Sequence, residues 1–165
     1  MPSGTASPRV TSSRKVRIGR SQAGLGLFAQ KPIAKKAYIV AYQGKRIPTK
    51  EAHRREREGN ARYMFEINAR WTIDGSSRRN LGRYANHACR PNCEPVLRKG
   101  KIVLIALRDI APGEEIAYDY GKDYFALFIA PLGCRCAACA MKAAKIYGKA
   151  PRSSARHRGA PTKRR

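Results

Sequence analysis

RYANHACRPNC, residues 83–93, is the most informative run of the chain. Asn86 and His87 stand side by side, Cys89 follows two positions on, and Pro91-Asn92 continue a segment rich in loop formers. The rest of the chain reads mostly as short strands. Buried amides and imidazoles need hydrogen-bond partners. A solitary histidine would read as a satisfied structural residue, but an Asn-His pair beside a thiol in such a segment points to a site.

Downstream, KIVLIALRDI (residues 101–110) is the strongest strand candidate, and Ala111, Pro112 and Gly113 form the turn after it. GEEIAYDY (113–120) continues as another strand. Strand alternation puts Tyr118 and Tyr120 on one face. That face is either an aromatic packing stripe or the wall of a narrow apolar channel suited to a lysine side chain. DYFALFI (123–129) reads as a short helix or turn. Cys134, Cys136 and Cys139 in CRCAAC then give three thiolates at metal-ligand spacing. A closed tetrahedral zinc site needs a fourth ligand, which either Cys89 or Cys93 supplies from upstream.

Upstream, KVRIGRS (15–21) alternates and ends at AGLGLFA (23–29), read as turn-forming, where Gly24 and Gly26 allow a ligand to approach the backbone closely. YIVAYQGKRI (38–47) is a β-branched and aromatic run broken by Gly44. TKEAHRREREGN (49–60) reads as a helix with Thr49 as its N-cap. RYMFEINARWTIDG (62–75) reads as two strands with a turn at Asn68-Ala69. The sum is a mainly β chain of short strands.

The 165 residues fit one domain plus tails, and an apolar content of 42% supports a modest core. The net charge of +24 is carried by the flanks. Residues 51–123 hold all 11 acids and 14 of the basic residues, whereas residues 1–50 hold 11 basic residues, residues 124–165 hold 10, and neither flank has an acid. Such flanks favour polyanions, nucleic acid or a nucleic-acid-bound partner among them, through counterion release. No apolar run is long enough for a membrane span, and the N-terminus lacks the apolar core of a secretory signal. Five cysteines, three of them crowded together, suit metal ligation in a reducing compartment better than disulfides.

Taken in order, GLG, YxxxYxGK, YMFEI, IDG, RYANHACRPNC, GEEIAYDYG and CRCAAC resemble the SET-domain family of protein lysine methyltransferases with its post-SET cysteine segment. The resemblance covers roughly residues 14–141. It implies a β-rich SET fold of several small sheets with a C-terminal pseudoknot, in which the NHAC segment threads near the last strand. It divides the chain into the SET domain (14–121) and a zinc-binding post-SET segment (122–141), and the composition of the ends adds a disordered basic tail on each side (1–13 and 142–165).

The implied activity is methyl transfer from S-adenosylmethionine to a lysine amine in a basic protein: a histone, a bacterial DNA-packaging protein or a ribosomal protein. Gly24, Leu25, Gly26 and Leu27 would approach the donor, and Asn86 and His87 would hold it with help from Arg83. Tyr120 corresponds to the catalytic tyrosine, Tyr63 to a channel-lining tyrosine, and Tyr118 to a position that limits the number of methyl groups added. Cys89 would join Cys134, Cys136 and Cys139 on a structural zinc, leaving Cys93 over.

The chain departs from the family pattern in three places. It has Ala88 where Ser is usual, a shortened CxCxxC, and a short insert between residues 49 and 62 with no cysteine-rich region before the domain. For a chain this compact, the resemblance implies a member of bacterial type. The competing reading is a non-enzymatic basic zinc module docking on nucleic acid, which accounts for the flanks and CRCAAC but not for NHxCxPN followed by GEExxYDY. The implied location is the nucleoid of a bacterium or the chromatin of a eukaryotic or host nucleus.

Overall fold

The computed structural model describes residues 15–59 and 62–147. Among the described residues, ten strands form three small sheets. β1 (Val16–Ser21), β2 (Gly24–Ala29), β7 (Asn86–His87) and β10 (Glu115–Tyr118) make the first, in the order β1-β2-β10-β7. β3 (Tyr38–Tyr42), β9 (Lys101–Ala106) and β8 (Cys93–Arg98) make the second, with β9 central. β4 (Lys45–Pro48), β6 (Trp71–Asp74) and β5 (Met64–Glu66) make the third. Among the described residues, no single helix is long and apolar enough to cross a membrane.

β9, central in its sheet and paired on both edges, is buried at five of its six positions, and so on both faces. That accounts for the unbroken apolar run KIVLIA. Its Leu104 packs with Leu27, Ile116, Ile110, Ile33 and Tyr118 in the main core. At roughly 25 cal/mol per Å² of apolar surface removed from water, these branched side chains dominate the stabilisation. Paired main-chain hydrogen bonds between Ile33 and Ile110, 3.0 and 2.9 Å, close the core beside them.

Three local readings need correction. AGLGLFA is not a turn: the turn lies at Gln22 and Ala23, and Gly24–Ala29 is a strand paired along its length with β1. Leu27 and Ala29 are buried, so burial overrides the weak strand propensity of glycine. Thr49 is not a cap. Pro48 occupies that position, before α1 (Thr49–Arg57). The Thr49 hydroxyl instead donates to the Asn68 carbonyl at 3.0 Å and lies 3.0 Å from Thr72 Oγ1, which ties the helix to the third sheet. CEPVLR, absent from the strands read in the sequence, is β8, an edge strand, where its Pro95 is tolerated.

YIVAYQGKRI divides between two sheets at Gly44. A side chain there would collide with the main-chain carbonyl of Asp74, so only glycine permits the crossing.

After β10, the helical stretch begins with α2 (Lys122–Tyr124), widens into a π-turn (Phe125–Ile129) and tightens into a 3-10 turn (Ala130–Leu132). α3 (Ala137–Tyr147) follows. It runs beyond residue 141, where the post-SET segment was expected to end, because AACAMKAAK is built from strong helix formers. The expectations for residues 1–13 and 148–165 lie outside the described residues.

Candidate active site

The site is built where two distant segments interlock. His87 pairs with Tyr118 in the parallel β7–β10 ladder, and the Ala88 amide donates to the Tyr118 carbonyl at 3.0 Å. Asn92 continues the seam. Its side chain accepts from the Ala117 amide at 3.0 Å and donates to the Glu115 carbonyl at 2.8 Å and to Glu114 at 2.9 Å. This interlock is the pseudoknot that the resemblance implied.

Asn86 reaches the opposite way. Its amide donates to Glu115 Oε1 at 2.7 Å and to the Leu25 carbonyl at 3.0 Å, with Ser21 Oγ at 3.4 Å. It therefore joins β7 to the β1–β2 hairpin and to β10. A side chain on Gly26 would meet Glu115 Oε1 at 2.5 Å, so that glycine makes the junction possible.

A cavity of about 900 Å³ opens beside this junction. Ser21, Ala23, Asn86, His87, Glu115 and Tyr120 line one side, and Tyr124, Phe128, Cys134 and Cys136 the other. Its size falls within the usual range of ligand sites. The expected residues distribute unevenly around it. Asn86, His87 and Tyr120 face the cavity. Leu25 contributes the carbonyl held by Asn86, and Gly24 adopts φ +117° at the start of β2. Leu27 is wholly buried in the core. Arg83 lies apart from the cavity: its guanidinium sits 3.8 Å over the Tyr63 ring and 5.4 Å from that of Tyr84. Its Nε is buried and has no hydrogen-bond partner among the described residues.

The tyrosines form one aromatic cluster. The Tyr118 and Tyr120 rings are 4.7 Å apart, Tyr124 meets Tyr120 edge-on at 5.1 Å, and Phe128 meets Tyr124 at 4.7 Å. His87 packs edge-on against Tyr120 at 5.6 Å. Tyr63 is held through its main chain, its carbonyl accepting from the Tyr42 hydroxyl at 2.8 Å. Burial raises the pKa of Tyr118 and Tyr120, so both phenols stay protonated. Burial lowers that of His87, against the pull of Asp119.

Sequence reading missed Ser21, Ala23, Tyr42, Glu115, Tyr124 and Phe128. Only the i, i+4 spacing of Tyr124 and Phe128 carried a signal, since a helical stretch puts such positions on one face.

The thiols of Cys89, Cys134, Cys136 and Cys139 all lie within 4.8 Å of one another. Cys89 Sγ is 3.8 Å from Cys134 Sγ and 3.6 Å from Cys139 Sγ. Zinc–sulfur bonds of about 2.3 Å in a tetrahedron place sulfurs about 3.8 Å apart, so the donor set fits zinc. Burial raises the Cys136 thiol, but the backbone amides of Cys89 and Cys139 and the thiols of Cys134 and Cys139 together outweigh it and bring the pKa to about 7. Cys93 stands apart, fully buried in β8, where burial pushes its thiol up to about 12.

An interlocked set of small sheets, with a cavity at the knot and on its wall a four-thiol cluster that could hold a metal ion, defines the class of this chain as a β-rich domain built around that knot. Residues 24–121 match the SET domain, and the chain belongs to the SET domain family. It is 36% identical over 125 residues to human "Histone-lysine N-methyltransferase 2D", covering 70% of this chain and 2% of that protein. It is 38% identical over 104 residues to the "Histone-lysine N-methyltransferase, H3 lysine-4 specific" of Candida albicans, covering 58% of this chain and 10% of that protein. The chain thus spans a small part of the relatives it matches.

Among solved structures, it resembles a humanized mutant of the Chaetomium thermophilum Polycomb Repressive Complex 2. The TM-score is 0.59 and the identity 32%, covering 67% of this chain and 15% of that one. A ctPRC2 structure described as autoinhibited and bound to S-adenosylmethionine matches with TM-score 0.59 and 31% identity, again covering 67% and 15%.

Proposed function

We propose that this chain is a protein-lysine N-methyltransferase that uses S-adenosylmethionine to methylate a histone or a similar basic protein. The observation that carries the reading is the continuity of the cavity from Asn86 and His87 to Tyr120, where the aromatic cluster begins. The names of the relatives and the donor bound in the structural neighbour support the same chemistry. The residues fit the donor. The cavity is large enough, Asn86, His87 and Tyr120 line it, and Asn86 ties its rim to the Leu25 carbonyl.

S-adenosylmethionine supplies a sulfonium methyl for in-line displacement. Tyr118, Tyr120 and Tyr124 exclude water around the incoming amine. An amine with an ordinary pKa of about 10.4 must be neutral to act as nucleophile, and desolvation among these rings favours the neutral form. The fixed Tyr120 hydroxyl and nearby carbonyls orient the reacting groups through weak CH···O contacts, so positioning provides most of the acceleration. In this reading Tyr118, packed against Tyr120, limits the space around the amine, Tyr63 takes the place of the family's channel-lining tyrosine, and the Leu25 carbonyl is held by Asn86 at the rim.

Cys89, Cys134, Cys136 and Cys139 would hold a structural zinc; four thiolates leave no open position for chemistry. In this reading residues 14–121 form the catalytic domain and residues 122–141 the zinc-binding segment that walls the cavity. The basic flanks bring the enzyme to nucleic-acid-bound targets, in chromatin or a nucleoid. A purely nucleic-acid-binding role is not favoured, because it leaves the cavity and its tyrosines without a purpose.

The decisive experiment incubates the chain with labelled donor and a panel of histones, DNA-packaging proteins and ribosomal proteins, and maps the modified residue by mass spectrometry. Methyl-lysine in a histone is expected. Donor binding with no methylated lysine in any basic protein would overturn the assignment.

A further inference from the structure

We infer that His87 is a positioning residue that couples metal loading of the four-cysteine cluster to the placement of Tyr120. The inference rests on the zinc reading above and adds a link between that cluster and the reacting end of the cavity. The His87 side chain is only 7% exposed, and its two ring nitrogens face different partners. Nδ1 lies 3.3 Å from the main-chain amide nitrogen of Tyr120. A backbone N–H can only donate, so Nδ1 must present a lone pair. In the neutral ring the proton then sits on Nε2, which lies 3.4 Å from Cys89 Sγ.

In the loaded cluster the Cys89 sulfur is a thiolate, which only accepts. It completes an ordered line: Cys89 thiolate, Nε2–H, Nδ1 lone pair, Tyr120 N–H. The alternative tautomer has no comparable partner. Asp119 Oδ1 is 3.7 Å from Nδ1, beyond hydrogen-bond reach, and already accepts from the Gly121 amide at 2.9 Å. Phe125 at 5.2 Å and Tyr120 at 5.6 Å pin the imidazole from two sides, and β7–β10 pairing fixes its main chain. Without metal, Cys89 is a thiol among thiols, 3.8 Å from Cys134 and 3.6 Å from Cys139. It is then no longer obliged to accept from His87, and the hold on the Tyr120 main chain slackens. An outer partner that fixes the tautomer of a histidine is a recurring device around metal sites; here the histidine would pass the constraint onward instead of binding the metal itself.

The test loads the 15N-labelled full chain with cadmium-113 and reads the His87 ring by two-bond proton–nitrogen correlation. Expected are a protonated Nε2, a bare Nδ1 and a scalar coupling from cadmium to the Nε2 proton through the sulfur. Chelation is expected to erase the coupling and to shift the Tyr120 amide more than the amides of β10. His87→Asn keeps an acceptor for the Tyr120 amide but not the bond to sulfur, so in that variant the amide should no longer respond to metal. His87→Gln reaches the sulfur alone, so the amide bond should be lost even when loaded. A loaded wild-type ring protonated at Nδ1, or a Tyr120 amide indifferent to chelation, overturns the inference. Failure to take up cadmium overturns it together with the zinc reading. Coupling observed in a chain that methylates nothing would support this link while striking only at the proposed activity.

Discussion

The hydroxyl of Tyr120 donates to the main-chain carbonyl of Ala85 at 2.8 Å. Ala85 immediately precedes Asn86, so one bond fixes the phenol against the segment that rims the cavity. Because burial keeps this phenol protonated, it acts as a donor throughout the neutral range. Tyr120→Phe should lower kcat by about 10²-fold or more and leave donor affinity, measured by calorimetry, within about twofold. Full turnover in that variant would remove Tyr120 from the mechanism.

Tyr118 is 8% exposed and packs at a tilt against Tyr120. Replacing it with Phe removes one oxygen from the end of the channel and leaves the ring packing in place. The product should move toward higher methylation states, read by intact-mass spectrometry of the methylated substrate. An unchanged product distribution would show that this hydroxyl does not limit the reaction.

Gly26 marks the closest approach of the hairpin to Glu115. Gly26→Ala forces Glu115 Oε1 away and breaks its 2.7 Å bond with Asn86. Donor affinity should fall by roughly tenfold, about 1.4 kcal/mol, with a smaller effect on kcat. If the variant binds donor as the parent does, Asn86 does not hold the donor's rim.

Cys89 and Cys93 should separate cleanly. Cys89→Ser should lower bound zinc and loosen the segment around residues 134–139, seen as faster amide exchange. Cys93→Ser should leave one zinc per chain but destabilise the fold by about 1–3 kcal/mol, because a hydroxyl enters the buried face of β8. Loss of zinc in the Cys93 variant would contradict the ligand set.

Arg108 hydrogen-bonds Glu114, and with help from Asn92 and the Ala111 amide it holds that carboxyl below its ordinary value of 4.5. A carboxyl whose folded pKa is depressed contributes stability that is present above the unfolded value and lost as pH falls through the folded one. Stability should therefore decline as pH drops below 4.5, and Glu114→Gln should flatten that part of a urea-midpoint profile. A parallel profile in the variant would exclude Glu114 as a contributor.

The wild-type sequence carried the family through short motifs whose residue types have few alternatives: Asn86-His87 beside a thiol, tyrosines two apart in a strand, three cysteines at ligand spacing. β9 was legible because its neighbours bury it on both faces and leave a continuous apolar run. The turn at Asn68 was legible too, since its side chain accepts from the amides of Arg70 and Trp71 at 2.9 and 3.0 Å, a bond made within the turn itself.

Other features depended on partners distant along the chain. Thr49 has the composition of a cap, but Asn68 and Thr72 claim its hydroxyl. Arg83 stands in the same motif as Asn86, but the bend of the 3-10 turn Leu81–Tyr84 turns it onto Tyr63 and away from the cavity.

By itself, then, the sequence determined which side chains this protein has for chemistry and the local strands and turns that its own neighbours enforce. Only the tertiary structure decided the register that sets Asn86 and His87 beside Ala117 and Tyr118, that Arg83 turns onto Tyr63, and that His87 faces both a sulfur and the Tyr120 amide. The physical reason is range. Propensity and turn bonding act over a few residues, whereas strand pairing and burial join segments many residues apart, and their geometry is set by the packed core as a whole.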